Sequence, residues 1–110
     1  MEAMDIYIAN VPFDDNNNSK IRPALVIHIG SKITVFKITS KYSEKSVQIR
    51  QFYYPIKLWQ EAGLKVQSYV DTHRTYTLSR NKVFSQKPIG KLTDIDSVGL
   101  IEFIRNWKNL

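Results

Sequence analysis

The first hydrophobic pattern along this chain has a period of two. Over residues 5–11, Ile6 and Ile8 alternate with Tyr7 and Ala9, which predicts a strand. The polar stretch Asp14-Asp15-Asn16-Asn17-Asn18-Ser19 buries no apolar surface and favours turns, so an exposed loop is expected over 14–19. A β-branched run over 22–29 followed by Gly30-Ser31-Lys32 reads as a second strand and a hairpin turn, and 33–39 as a third strand. Val47, Ile49 and, loosely, Phe52 alternate with polar residues, which predicts a fourth strand over 47–54 that Pro55 breaks. Residues 56–62 suit a short helical turn with Gly63 as its C-cap. The Tyr, Val and Thr of 68–77 predict another strand, and 83–86 a weaker one.

The last segment changes period. Val98, Ile101 and Ile104, joined by Leu100, Phe103 and Trp107, form a broad apolar face at helical spacing. Thr93 with Asp96 three residues on resembles a capping box. Gly99 weakens this helix by about 1 kcal/mol relative to Ala, so packing must hold it. Short strands in succession and one C-terminal helix predict a mainly β fold, a small antiparallel barrel or curled sheet with a helix against it. No helix long enough for a parallel crossover separates the strands. With 110 residues, one domain over 1–110 is expected.

Composition narrows the class. Apolar residues make up 43% and charged residues 24%, as in globular proteins. Cysteine is absent, which removes disulfides and cysteine zinc sites and suits a cytoplasmic protein. The longest apolar run, 24–27, is stopped by His28, so no membrane span is expected, and the acidic N-terminus argues against a secretory signal. The net charge of +6 is unevenly spread: residues 16–93 hold fourteen basic and three acidic side chains, a net of +11. Such a segment attracts a polyanion, nucleic acid above all; the bland alternative is a solvated surface.

Candidate chemistry is sparse. His28 and His73 lack a second ligand at metal-binding spacing, and His28 inside an apolar strand reads as a core or edge residue. Asp14-Asp15 read as turn formers, and glycines scattered at 30, 63, 90 and 99 make no phosphate cradle, so no cofactor is expected. Lys20-Ile21-Arg22-Pro23 is the most specific local feature. Pro23 pushes Arg22 into an extended conformation at the start of a strand, where a planar guanidinium suits phosphate. The alternative is an Arg22 that merely hydrogen-bonds to the 14–19 loop.

Asp5-Ile6-Tyr7, Lys20-x-Arg22-Pro23-Ala24-Leu25-Val26-Ile27, Ile38-Thr39-Ser40, Ala62-Gly63-Leu64 with Ser68-Tyr69-Val70, and Ile89-Gly90-Lys91-Leu92 stand in this order along the chain. In that order and spacing the sequence resembles MazF/PemK-type toxins over nearly its whole length. One departure is Met4, where the family usually has Gly before the first Asp-Ile. The resemblance implies an SH3-like β-barrel with a C-terminal helix, a homodimer, and a metal-independent endoribonuclease acting on single-stranded RNA. It also implies inhibition by a cognate antitoxin, with DNA met only indirectly through the toxin–antitoxin complex. Carried across, its functional positions are Arg22 and Thr39 or its neighbour Ser40.

Those residue types fit cleavage by the RNA's own 2′-hydroxyl, which leaves a 2′,3′-cyclic phosphate and a 5′-hydroxyl. The route needs donors for charge developing on phosphate oxygens, a base and an acid. Arg22 suits the first role and, with a pKa above about 12, makes a poor base; Thr39 suits orientation of the phosphate or the 2′-hydroxyl. His73, beside Asp71 and Arg74, is a candidate base or a structural residue. For substrate binding, Lys20, Ser40, Lys41, His73 and Arg74 are the candidates, with Lys37 and Arg80 close in sequence to the same elements. Tyr42, Tyr53, Tyr69 and Tyr76 are interleaved, and since most strand aromatics are core residues, no more than one or two of them are expected to stack on bases. An acidic antitoxin segment is expected to mimic the RNA in the same groove. Two alternatives are a noncatalytic small barrel that binds nucleic acid or an acidic peptide, and a peptide-groove adaptor.

Overall fold

The computed structural model describes residues 1–12, 19–80 and 84–108. The elements are β1 (Asp5–Pro12), β2 (Ser19–Ile29), β3 (Ile33–Thr39), α1 (Val47–Arg50), β4 (Tyr53–Pro55), β5 (Tyr69–Leu78), β6 (Gly90–Lys91) and α2 (Asp94–Lys108). The strands form one antiparallel sheet in the order β4-β5-β3-β2-β1-β6, curled into a half-barrel with the C-terminal helix against it. The Asp14-Asp15 pair, the rest of the expected 14–19 loop up to Asn18, and Val83 lie outside the described residues.

The period of two divides the strands between two cores. Ile6, Leu25, Phe36, Ile38 and Val70 enter one cluster with Tyr54, Ile56, Leu64, Leu92 and Leu100. Their neighbours Tyr7, Ala9, Ala24, Val26, Val35, Tyr76 and Leu78 enter the other. Tyr7 on β1 and Tyr76 on β5 share a cluster although two strands separate them in the sheet, which requires the curl. Phe84 closes that side: it bridges to Ala9 and meets Tyr7 edge-on at 5.9 Å, and the Ser85 N–H donates to the Ile8 carbonyl at 2.8 Å, so the weak strand expected over 83–86 is reduced to a short bridge against β1. Each fully buried Leu, Ile or Val contributes about 1.5–3 kcal/mol, so both faces hold the sheet.

The Gly30-Ser31-Lys32 hairpin is present between the Ile29–Ile33 pair, with the Gly30 N–H donating to the Lys32 carbonyl at 3.0 Å. Two expectations are corrected. The strand over 47–54 is reduced to Tyr53–Pro55, and 47–50 is a helical turn. Ser46 caps that turn by accepting the Ile49 N–H at 3.4 Å. The ladder to β5 stops because β5 bulges: Phe36 pairs with Thr75 but Lys37 with Asp71, leaving Thr72, His73 and Arg74 extra. Thr72 then ties off the end through its N–H and hydroxyl, both donating to the Phe52 carbonyl at 2.9 and 2.6 Å. Pro55 ends the edge strand β4 rather than excluding one, since an edge tolerates a missing N–H.

The second correction concerns α2. Leu100 is buried and Phe103 and Ile104 are packed against the first cluster, whereas Val98 and Ile101 are 57% and 47% exposed. Asp96 sets this rotation. Its fully buried carboxylate accepts the Tyr54 hydroxyl at 2.7 Å and the N–H groups of Lys57 and Leu58 at 2.9 and 2.8 Å. Asp96, Leu100, Phe103 and Trp107 therefore face the sheet, and Val98 and Ile101 fall on the far side. Thr93 acts as half of the expected box, accepting the Asp96 N–H at 3.3 Å, while the carboxylate turns into the core. Burial and this bond hold the Tyr54 phenol well above its usual range, so Tyr54 stays a donor.

The turn over 56–62 is also present. It ends in a Schellman arrangement, Leu64 N–H to Trp59 carbonyl and Gly63 N–H to Gln60 carbonyl, both at 3.0 Å, with Gly63 at φ +93°. A Cβ on Gly63 would collide with the Ile89 carbonyl, and one on Gly90 with the Ala62 carbonyl. The two Gly motifs noted in the sequence thus press backbone against backbone. Close by on the same edge of the sheet, where β6 pairs with β1, Met4 has φ +74°, a left-handed conformation that favours Gly. Its backbone is pinned on both sides, its N–H to Val26 and its carbonyl from Leu92.

Gly99 lies where a Cβ would meet the Tyr54 hydroxyl and ring. The Gly99→Ala variant is therefore expected to lose about 1–3 kcal/mol of stability by crowding the Tyr54–Asp96 bond, although helix propensity alone favours it by about 1 kcal/mol. Denaturant unfolding checks the sign.

Candidate nucleic-acid site

Pro23 has no N–H to continue a ladder, and the pairing of β2 with β3 begins one residue later, at Ala24 with Lys37. Before that point β2 pairs only with β1, Arg22 standing opposite Ala9. One further step of two on each strand would set Arg22 opposite Thr39. Instead the strands part, and both residues line a cavity of about 700 Å³.

Thr39 ends β3 beside Tyr69 of β5 and is 9% exposed. Its hydroxyl oxygen accepts the Lys41 N–H at 3.1 Å, so its own O–H remains to donate. That bond turns the chain and sets Ser40 and Lys41 on the exposed rim. Two residues back along β3 and on the same side of the strand, Lys37 is buried and pairs with Asp71 at 3.5 Å. The opposite wall comes from the chain after the Schellman turn, Leu64, Lys65, Val66 and Ser68, with Ile89 beside Gly90.

Lys20, Arg22, Lys37, Lys41, Lys45 and Lys65 supply positive charge around this one cavity. Ile21 at 70% exposure, Val66 at 54% and Ile89 at 38% give it an apolar rim. Lys41 also meets Glu44 at 3.7 Å, an exposed pair that salt screens. Among the described residues no group of three or more His, Asp or Glu side chains comes together as a metal site.

Of the expected site residues, the structure brings Arg22, Thr39, Lys20, Ser40 and Lys41 to this cavity. His73 and Arg74 do not line it. They belong to the β5 bulge, where period-two alternation fails. The His73 ring stacks on Phe52 at 4.8 Å, Phe52 meets Trp107 edge-on at 5.1 Å, and the His73 N–H donates to Asp71 at 3.0 Å. Arg80 is engaged elsewhere, on the Gly30 carbonyl at 2.6 and 3.1 Å. Tyr76 is a core residue, and Tyr42 stacks on Tyr69 at 4.5 Å with the Arg50 guanidinium 5.4 Å from its ring centre.

Lys45 and Lys65 are not among the expected contacts, and Lys37, expected only to lie close in sequence to the site elements, lines the cavity itself. Lys37 was readable from its spacing of two from Thr39. Lys65 reaches the site only through the contact of Gly63 with Gly90, which has no local sequence signal.

A curled antiparallel half-barrel with a cation-lined, apolar-edged cavity where one ladder opens defines a small β protein whose cavity has the charge to suit a polyanion. The chain matches, over residues 2–102, the family described as PemK-like, MazF-like toxin of type II toxin–antitoxin system, and it belongs to that family. None of the curated proteins matches it. Among the described residues no helix is long and apolar enough to cross a membrane.

Binding of a single-stranded oligonucleotide should weaken steeply with salt, by about 0.7 in log K per log unit of salt for each phosphate neutralised. Replacing the rim residue Lys65 by Gln should flatten the slope by about that amount, which a titration at several salt concentrations measures.

Proposed function

We propose that this chain is a toxin endoribonuclease that cuts single-stranded RNA, mRNA included, within the cavity and without a metal ion. The observation that supports this most is that Arg22 and Thr39 line one cavity where the β2–β3 ladder ends. The scissile linkage lies between them. The RNA's 2′-oxygen attacks the adjacent phosphorus, the bond to the 5′-oxygen breaks, and the products are a 2′,3′-cyclic phosphate and a 5′-hydroxyl.

The Arg22 guanidinium donates to the phosphate oxygens on which charge develops, a role its planar fork suits. The Thr39 O–H, its oxygen held by the Lys41 N–H, donates to the same phosphate and fixes its orientation. His73 lies outside the cavity, so water takes the proton of the 2′-hydroxyl and returns one to the leaving oxygen. The exposed lysines of the rim hold the flanking phosphates, and Ile21, Val66 and Ile89 lie against bases.

The same mixture of positive charge and apolar rim suits an acidic antitoxin segment with apolar side chains, which would occupy the groove in place of RNA. A homodimer fits the α2 stripe Ile95, Val98 and Ile101, which a single chain leaves exposed. A cytoplasmic location follows from the substrate.

The test is incubation of purified protein with a long unstructured RNA in EDTA, followed by mapping of fragment ends. Cleavage with cyclic-phosphate ends is expected, and the Arg22→Ala variant should fold yet lose at least about a hundredfold in rate. RNA left intact across many sequences would overturn the enzyme in favour of a binding module, and equal cleavage by the variant would remove Arg22 from the mechanism.

A further inference from the structure

Lys37 has an unusual position for a lysine. It is buried in a central strand of the sheet, yet it belongs to the cavity lining. Burying an ammonium is costly unless its three donors find acceptors. Among the described residues its ionic partner is Asp71, directly opposite on β5, at the long distance of 3.5 Å. The other Asp71 oxygen accepts the His73 N–H at 3.0 Å, so the carboxylate is shared with the bulge of β5. On the β2 side Lys37 stands opposite Ala24, whose methyl group leaves space. One Asp71 oxygen therefore faces an ammonium that carries three donors, and the same lysine lines the cavity.

The four lysines of the rim differ in kind, since Lys20, Lys41, Lys45 and Lys65 are exposed and surrounded by water. A buried cation acts on whatever penetrates deepest, and it acts more strongly because water does not screen it. Lys37 lies one step of two from Thr39 and diagonally across from Arg22, which places it beside the same deep end of the cavity.

We propose that Lys37 is a further catalytic residue of this site, its ammonium donating to a non-bridging oxygen of the scissile phosphate while Asp71 positions it. The proposal rests on the endoribonuclease reading for its kinetic consequence, but not for the contact itself. Lys37 and Arg22 would then share the charge that builds on phosphate during attack, and the rim lysines would serve only affinity.

Two measurements test it. In the wild-type protein, the Lys37 ammonium resonance, assigned by its loss in the Lys37→Arg variant, is followed as an uncleavable all-deoxy oligonucleotide is added. A shift that saturates with binding is expected. Kinetically, Lys37→Met should lower kcat about a hundredfold with KM changed by less than about threefold, whereas Lys65→Met should act chiefly on KM. Lys37→Arg, which keeps the charge and the pair with Asp71, should recover part of kcat and serves if the Met variant does not fold. An ammonium resonance that stays fixed while the oligonucleotide binds overturns the proposal, as does an unchanged kcat in folded Lys37→Met. If the wild type cleaves no RNA but the resonance still shifts, the phosphate contact stands and the nuclease reading fails.

Discussion

The pairing of β2 with β3 is the constraint on which the site depends. The side-chain period in a strand is two, so a slip of one residue would turn Arg22 and Thr39 to opposite faces of the sheet. Both faces resist that slip. Leu25, Phe36 and Ile38 are buried in one core, and Ala24, Val26 and Val35 in the other, so any new register would exchange large and small side chains between two packed cores. The short Gly30 hairpin limits the slack, and the Arg80 guanidinium on the Gly30 carbonyl pins its tip to the end of β5. Pro23 then decides where the ladder ends. The cavity opens at that point because a ring nitrogen has no hydrogen to donate.

The opposite wall depends on a chain of contacts that begins in the helix. Asp96 carries α2 onto β4 through Tyr54 and onto the following turn through Lys57 and Leu58. That turn ends at Gly63, whose backbone lies directly against Ile89 and Gly90. Lys65 and Val66 emerge from it into the cavity. A buried carboxylate that accepts from β4 and from the turn after it thus sets the position of residues far from it in the fold. The helix shows the consequence on its other side, where Ile95, Val98 and Ile101 remain in solvent.

Much of this was readable from the chain, and the failures have physical reasons. Alternation marked β1, while β-branched and aromatic content marked β2, β3 and β5, whose two faces are both buried. Arg22-Pro23 reads as the start of a strand, but β2 begins at Ser19 and runs through it. Alternation over 47–54 misled because a strand also needs a partner, and β5 offers one only from Tyr69 to Asp71. His73 was placed by the same period, which three extra residues in β5 interrupt. The orientation of α2 differs from the apolar count because the residue that anchors its buried face is Asp96, an aspartate in the first turn, which no apolar count includes. Met4 is the reverse case: its departure from the usual Gly marked a real feature, a left-handed residue at the start of β1.

The most direct test of the account is a structure of the protein with an uncleavable all-deoxy single-stranded oligonucleotide. One phosphodiester is expected in the cavity between the Arg22 guanidinium and the Thr39 hydroxyl, with the strand running past Lys41 and Lys65 along the rim. A strand bound instead over the His73, Phe52 and Trp107 face, with the cavity untouched, would contradict it.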